Sequence, residues 1–265
     1  VTDGDQARAA ADQTTVDAFH RGRFHLVQPR RGHRAGIDAM LLAAAIDGGF
    51  SGHCIDLGSG AGAAGLAVAS RCPCARVTLV ERDPLMLDCA RQSLALPQNT
   101  ALVQARIDVL ACDATWRRPA REVAGLTDAM ADCTIMNPPF NTPHDQATGD
   151  PLRRVAHVME SGMFEAWIRT ATALTRANGI LALIARPHSL RDILDALEGR
   201  FGNARIRLIH PRPQAQAIRV VVRARRGSRA SLGFVPPLVL HGTEGNAFGA
   251  EADCINNGAG SLFAD

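Results

Sequence analysis

From residue 53 onward, short apolar runs alternate with stretches of helical periodicity. His53–Leu57, Arg76–Glu81, Ile107–Cys112, Cys133–Met136, Ile180–Ala185, Ala204–Ile209 and Ile218–Arg225 are brief and mostly apolar, the signature of strands buried on both faces. Between them Ala63–Ser70, Pro84–Ala95, Met163–Arg176 and Leu190–Leu197 predict helices, and Asp83 followed by Pro84 marks a clear helix start. Strands separated by helices form βαβ units around a mainly parallel sheet. The pattern predicts an α/β fold, a Rossmann-like doubly wound sheet of seven strands. It is mostly parallel with a final antiparallel strand, because no helix separates the last two strands.

Ahead of this region, Phe24-His25-Leu26-Val27 predicts a short extended piece, and an arginine-rich loop follows Pro29. Asp38 then precedes Ala39-Met40-Leu41-Leu42-Ala43-Ala44-Ala45, a strong helix former, and is expected to cap that helix through its side chain. Residues 114–131 and 141–160 are longer than ordinary connections, and loops of that length carry function or disorder. The second is a candidate substrate lid. We expect a polar tail over 1–15, a main domain over 16–228 and a C-terminal extension over 229–265. The last ten or so residues are expected to be mobile.

Composition narrows the class. Hydrophobic residues make up 46% of the 265, ample for one large core. No apolar run approaches a membrane span, and the polar start lacks the pattern of a secretion signal, so the expectation is a soluble, cytoplasmic protein. Seven scattered cysteines, with only Cys72 and Cys74 close together, are read as reduced thiols, and no metal site is expected. All 29 basic residues are arginine and the formal net charge is only +3. Any affinity for nucleic acid must therefore come from local clusters. The candidates are Arg30/Arg31/Arg34, Arg117/Arg118/Arg121, Arg153/Arg154 and Arg219/Arg223/Arg225/Arg226/Arg229.

Two motifs carry chemistry. Asp56-Leu57-Gly58-Ser59-Gly60-Ala61-Gly62 follows a predicted strand and leads into a predicted helix. Glycines there permit a tight turn and close approach of backbone to a ligand. A dinucleotide-binding loop would place a pyrophosphate at the helix N-terminus, but Asp56 would repel it. A carboxylate at Asp56 instead suits an ammonium group. Glu81 ends the next strand and suits ribose hydroxyls, and Asp113 follows the strand after that, where it can accept from an adenine amino group.

The second motif is Asn137-Pro138-Pro139-Phe140, after the fourth strand of the alternating series. Proline has no N–H and cannot continue a paired central strand, so the segment presents rigidly directed oxygen acceptors. Such acceptors can hold both hydrogens of a planar –NH2 group and bind it more tightly as its nitrogen gains positive charge. Phe140 can stack on the plane of the same group.

The glycine loop resembles that of class I S-adenosylmethionine (SAM)-dependent methyltransferases, and the Asn-Pro-Pro-aromatic motif resembles that of the branch methylating planar nitrogens. Across nearly the whole chain the sequence is similar to the bacterial tRNA(Val) adenine-N6-methyltransferase group, which also includes predicted O-methyltransferases. The similarity takes in Gln28 to Asp38, Asp56 to Gly62, Asn137 to Phe140, His210-Pro211-Arg212 and Leu240 to Asn246. The resemblance implies SAM as cofactor, held by Asp38, Asp56, Gly58, Ser59, Gly60, Gly62, Glu81, Asp113 and Asn137. It implies catalysis by Asn137, Pro138 and Phe140. The departure is Phe140, where many relatives carry tyrosine, so a phenolic hydrogen bond is lost while stacking survives.

The function expected is N-methylation of an adenine exocyclic amino group, with RNA, most of all tRNA, as partner and no membrane. Two alternatives stay open. A protein glutamine N-methyltransferase acting on a release factor would use the same acceptor motif, although such enzymes usually carry a helical domain ahead of the glycine loop, where this chain has only about 50 residues. A SAM- or RNA-binding module without catalysis would not need Asn137 and Pro138. Monomer and homodimer are both compatible with the sequence.

Overall fold

The computed structural model describes residues 13–32, 34–103, 106–139 and 162–263. Phe140, the 141–160 loop and the Arg153/Arg154 pair lie outside the described residues. Two strands, β1 (Thr14–Phe19) and β2 (Phe24–Pro29), form an antiparallel hairpin. Helix α1 (Ile37–Ala44) leads to the main alternation: β3 (His53–Leu57), α2 (Ala63–Arg71), β4 (Arg76–Glu81), α3 (Pro84–Ala95), α4 (Thr100–Val103) and β5 (Ile107–Ala111). Then come α5 (Arg118–Val123), β6 (Ala131–Met136), α6 (Met163–Leu174), β7 (Thr175–Ala185), α7 (Leu190–Leu197), β8 (Phe201–His210) and β9 (Arg219–Arg226). Two two-residue strands, β10 (Gly233–Phe234) and β11 (Leu238–Val239), and helix α8 (Ala250–Asn256) complete the chain.

The central sheet runs β5-β4-β3-β6-β7-β9-β8-β10, and β11 also pairs with β8. Every pairing is parallel except those of β9, which lies antiparallel between β7 and β8. The doubly wound sheet is thus the one expected, with its seven main strands extended at one edge by the two short ones.

Period-two alternation divides each strand between two cores. Cys54, Val77, Leu79, Cys133, Ile135, Ala182, Ile184 and Val221 pack with α1, α2 and α3 on one face. Ile55, Leu57, Val80, Met136, Leu183, Val222 and Ile206 pack with α6 and α7 on the other. Helices cover both faces, so the carboxyl ends of β3 to β7 open along one edge, where ligands bind in open α/β sheets.

Several boundaries differ from the sequence expectation. Strand β1 begins at Thr14, and its exposure alternates because it pairs only with β2. The hairpin is anchored where β2 passes α3: Val27 N–H donates to Ser93 Oγ at 2.8 Å and His25 N–H to Asn99 Oδ1 at 2.8 Å. Helix α6 stops at Leu174 instead of Arg176, because Thr175 already joins the sheet, its hydroxyl 2.8 Å from that of Thr134. The long 114–131 connection contains α5, and buried Arg121 ties it together by donating to Leu126 O at 2.9 Å and to Asp128 at 2.5 Å.

The end of the chain is docked onto the fold as far as Phe263. Leu262 and Phe263 are buried, Leu262 N–H donates to Ala44 O at 2.8 Å, and Arg207 donates to Leu262 O at 2.8 Å. A glycine-rich stretch gave little hint of this long-range docking. Two of the segments behind the family resemblance also meet in space: Arg212 donates to Gly242 O, Gly245 O and Asn246 Oδ1 at 2.7–3.0 Å.

Candidate active site

The glycine loop joins β3 to α2. Gly58 N–H and Ser59 N–H both donate to Val80 O, at 2.8 and 2.9 Å, which bolts the loop to the end of β4. Gly58, Gly60 and Gly62 all have positive φ (73°, 56° and 95°), a region that strongly favours glycine. Their surroundings differ. A Cβ on Gly58 would lie 2.4 Å from the Trp167 ring, and one on Gly62 would lie 2.8 Å from Leu79. A Cβ on Gly60 would meet nothing within 4 Å. Of the three, Gly60 borders open space, while Gly58 and Gly62 answer to packing as well as to φ.

Trp167, on α6, was not singled out from sequence. Its position reads as an apolar face of an amphipathic helix, and only the packing of α6 over the sheet brings its ring onto Gly58.

Asp56 is 2% exposed, and its Oδ2 accepts from Gly65 N–H at 2.8 Å in the first turns of α2. Burial pushes its carboxyl up to about 7, the Gly65 bond lowers it in part, and the charge of Glu81 raises it further. A raised carboxyl binds more protons when folded than when unfolded, so its stabilising contribution is complete below the ordinary 3.8 and is lost as pH rises through about 7. Asp56→Asn keeps the acceptor for Gly65 N–H and removes this loss. Its melting temperature relative to the parent is expected to climb between pH 3.8 and about 7 and then level off, as followed by circular dichroism. A difference that does not vary with pH would show that Asp56 ionises normally.

Glu81 closes the other side of the loop. Its Oε2 accepts from Gly60 N–H at 2.8 Å, and its Oε1 accepts from Arg82 N–H and Asp83 N–H at 2.7 and 2.8 Å. Asp83 caps α3, accepting from Met86 N–H at 3.0 Å, as the Asp-Pro pair predicts.

Asp113 accepts from Arg82 at 2.7 Å and from both the backbone N–H and hydroxyl of Thr115 at 2.7 Å. Burial opposes its ionisation, but the Arg82 and Thr115 hydrogen bonds outweigh it and hold the carboxyl below the usual range. It is an anion at neutral pH, with three of its roughly four lone-pair sites engaged.

Asn137 and Pro138 stand where β6 ends, between the ends of β3 and β7. Asn137 Oδ1 is buried and has no hydrogen-bond partner among the described residues. Pro138 is buried and Pro139 half-buried, and Phe140 lies outside the described residues.

Asp38 departs from its expected capping role. Gly36 occupies the N-cap position in extended conformation with no side-chain cap bond, and Asp38 is the second helical residue. Its carboxylate accepts from Arg219 Nε at 2.8 Å. A charged partner at the start of β9 wins over backbone N–H groups, and an acidic residue in the first turn still complements the helix dipole. The ion pair places Asp38 along the same open edge of the sheet, because β9 starts beside the ends of β7 and β8.

The edge therefore carries a glycine loop, three acids at successive strand ends and an amide oxygen with no partner among the described residues. Over residues 34–209 the chain matches the methyltransferase small domain family. It belongs to that family. The methyltransferase is 30% identical over 238 residues to a tRNA1(Val) (adenine(37)-N6)-methyltransferase of Porphyromonas gingivalis, covering 87% of this chain and 90% of that one. It is 44% identical to a predicted O-methyltransferase from Agrobacterium tumefaciens of known structure, with a TM-score of 0.73, covering 85% of this chain and 98% of that one. A 16S rRNA N2 G1207 methyltransferase of T. thermophilus, solved with AdoMet and guanosine, shares the fold at a TM-score of 0.53 and 19% identity. That match covers 80% of this chain and 50% of the other.

The protein is a SAM-dependent methyltransferase. Among the described residues no helix is long and apolar enough to cross a membrane.

Proposed function

We propose that this methyltransferase modifies the exocyclic amino nitrogen of an adenine in tRNA. The observation that carries the reading is Asn137 Oδ1, a buried acceptor at the open edge of the sheet with no partner among the described residues. An unsatisfied buried acceptor costs about 1–3 kcal/mol, a cost expected where a ligand completes the bond. The name of the P. gingivalis relative supports adenine and tRNA.

The residues around the glycine loop fit SAM. Burial above all raises Asp56, with the charge of Glu81 adding to it, and a cationic ligand would favour its charged form. The ammonium group of SAM has the right charge. Gly60 borders open space for the ligand, and Gly58, Ser59 and Gly62 shape the turn around it. Glu81, held by three backbone donors, has one of its roughly four lone-pair sites left for a ribose hydroxyl. Asp113 has one lone-pair site left for the adenine amino group of the cofactor, and Asp38, fixed by Arg219, closes the approach from α1.

Bound SAM supplies an electrophilic methyl group on a sulfonium. The chain's own part is to hold the acceptor. Asn137 Oδ1 and the carbonyl of Pro138 accept the two hydrogens of the target –NH2, and Phe140 stacks on its ring. As that nitrogen takes up the methyl group it would gain positive charge. Both hydrogen bonds strengthen at that moment, which is transition-state stabilisation without a strong base. The extra proton then passes to water.

The test is nucleoside mass spectrometry after incubating the protein with SAM and tRNA from a strain lacking it. N6-methyladenosine is the expected product. Absence of any methylated nucleoside despite measurable SAM binding would overturn the reading, and methylglutamine formed on release factor would replace it.

A further inference from the structure

A groove of about 480 Å³ lies between α5 and α6, lined by Trp116, Arg117, Arg118, Arg121, Asp128 and Arg169 among others. Both walls lead back to the active site. Trp116 N–H donates to Asp113 O at 3.1 Å, and Arg169 follows two residues after Trp167, whose ring covers Gly58. Four arginines face one carboxylate in the lining, a net +3 that equals the formal charge of the whole chain.

The arginines divide by role. Arg121 is buried and pairs with Asp128 at 2.5 Å, while Arg118 pairs with Glu122 at 2.8 Å and Asp128 at 3.4 Å. These two hold the groove together. Arg117 and Arg169 are exposed, and their guanidinium groups enter no ion pair or hydrogen bond among the described residues. Beside them Trp116, one of two tryptophans in the chain, is 44% exposed. Uncommitted cations suit phosphates. An exposed indole suits a base face, because every base can stack on it whatever its hydrogen-bonding edge.

Resting on the reading that the acceptor is an RNA base, we propose that this groove holds the unpaired RNA strand flanking the target nucleotide. One base stacks on Trp116, and neighbouring phosphates meet Arg117 and Arg169. An acidic peptide would satisfy the arginines but leave the indole unused. A base splayed out for modification leaves its neighbours unpaired, and these are the nucleotides available to such a platform.

The experiment uses the full chain and a fluorescein-labelled stem–loop RNA carrying an unpaired adenine, with affinity read by anisotropy across a salt series. Trp116→Ala is expected to weaken RNA binding about tenfold. The double variant Arg117→Gln/Arg169→Gln is expected to lower the salt slope by about 0.7 per lost phosphate contact. Arg91→Gln, an exposed arginine on α3 at the opposite face of the sheet, should leave affinity within about twofold. Unchanged S-adenosylhomocysteine affinity and circular dichroism would show that the groove variants remain folded. Equal RNA binding by parent and groove variants would overturn the groove while leaving adenine methylation intact. Oligoglutamate competing as well as RNA would also overturn it. A parent protein that neither binds RNA nor methylates any nucleoside would remove the function reading, and the groove proposal with it.

Discussion

Asn137→Ala is expected to lower turnover at least about 100-fold while leaving SAM affinity close to that of the parent. The magnitude is that of removing one preorganised hydrogen-bonding group aimed at developing charge. Stability should move the other way. In the parent, Asn137 Oδ1 is buried without a partner among the described residues, so truncation removes an unsatisfied acceptor and not a bond. The melting temperature is therefore expected to hold or rise slightly. A residue that merely supported the fold would lose stability and activity together. Single-turnover rates with saturating SAM, set beside calorimetric unfolding of the same samples, separate the two cases. Near-parental turnover would show that the Asn-Pro-Pro segment does not serve the chemistry.

The main sheet was legible because its strands are buried on both faces. Arg76–Glu81, with alternate residues feeding the two cores, reads as a strand from its apolar run alone, and the structure keeps its bounds. Pro84–Ala95 was equally plain, since Asp83 and Pro84 give both the cap and the first-turn proline. What escaped notice depends on partners distant in sequence. Strand β1 is half-exposed and is held by β2, while β10 and β11 are two residues each and are held by β8. Docking of Leu262 and Phe263 depends on Ala44 and Arg207.

Within the site, residue types and strand ends were readable, and partners were not. Asp56, Glu81, Asp113 and Asn137 all come to the carboxyl edge of the sheet, as alternation of strands and helices requires. Asp38 reads equally well as a cap or as a first-turn acid, because both positions favour a carboxylate near free N–H groups; Arg219, 181 residues away, decides it. The arginine clusters divided in the same way. Arg34 is tied to Asp17 at 2.6 Å, Arg223 lies over the Phe263 ring, and Arg226 donates to Thr175 O. In the Arg117 cluster an exposed tryptophan and a second helix convert adjacent charges into a groove.

Glu81→Ala is expected to produce the opposite kinetic signature to Asn137→Ala. In the proposed complex the carboxylate accepts from a ribose hydroxyl through its remaining site, and a hydrogen bond to a charged group contributes about 1.5–3 kcal/mol. Losing it should raise the SAM dissociation constant about 10- to 100-fold. The free protein is affected too. Gly60, Arg82 and Asp83 N–H lose their acceptor, so the loop loosens from the end of β4 and the melting temperature falls. The ribose lies away from the reacting nitrogen, so this binding is shared by ground state and transition state. Turnover at saturating SAM should recover most of the parental rate while KM for SAM rises, the pattern left by loss of uniform binding. Titration calorimetry with S-adenosylhomocysteine and a SAM-dependence of initial rates would read both quantities. An unaltered dissociation constant would mean that Glu81 serves only to brace the loop.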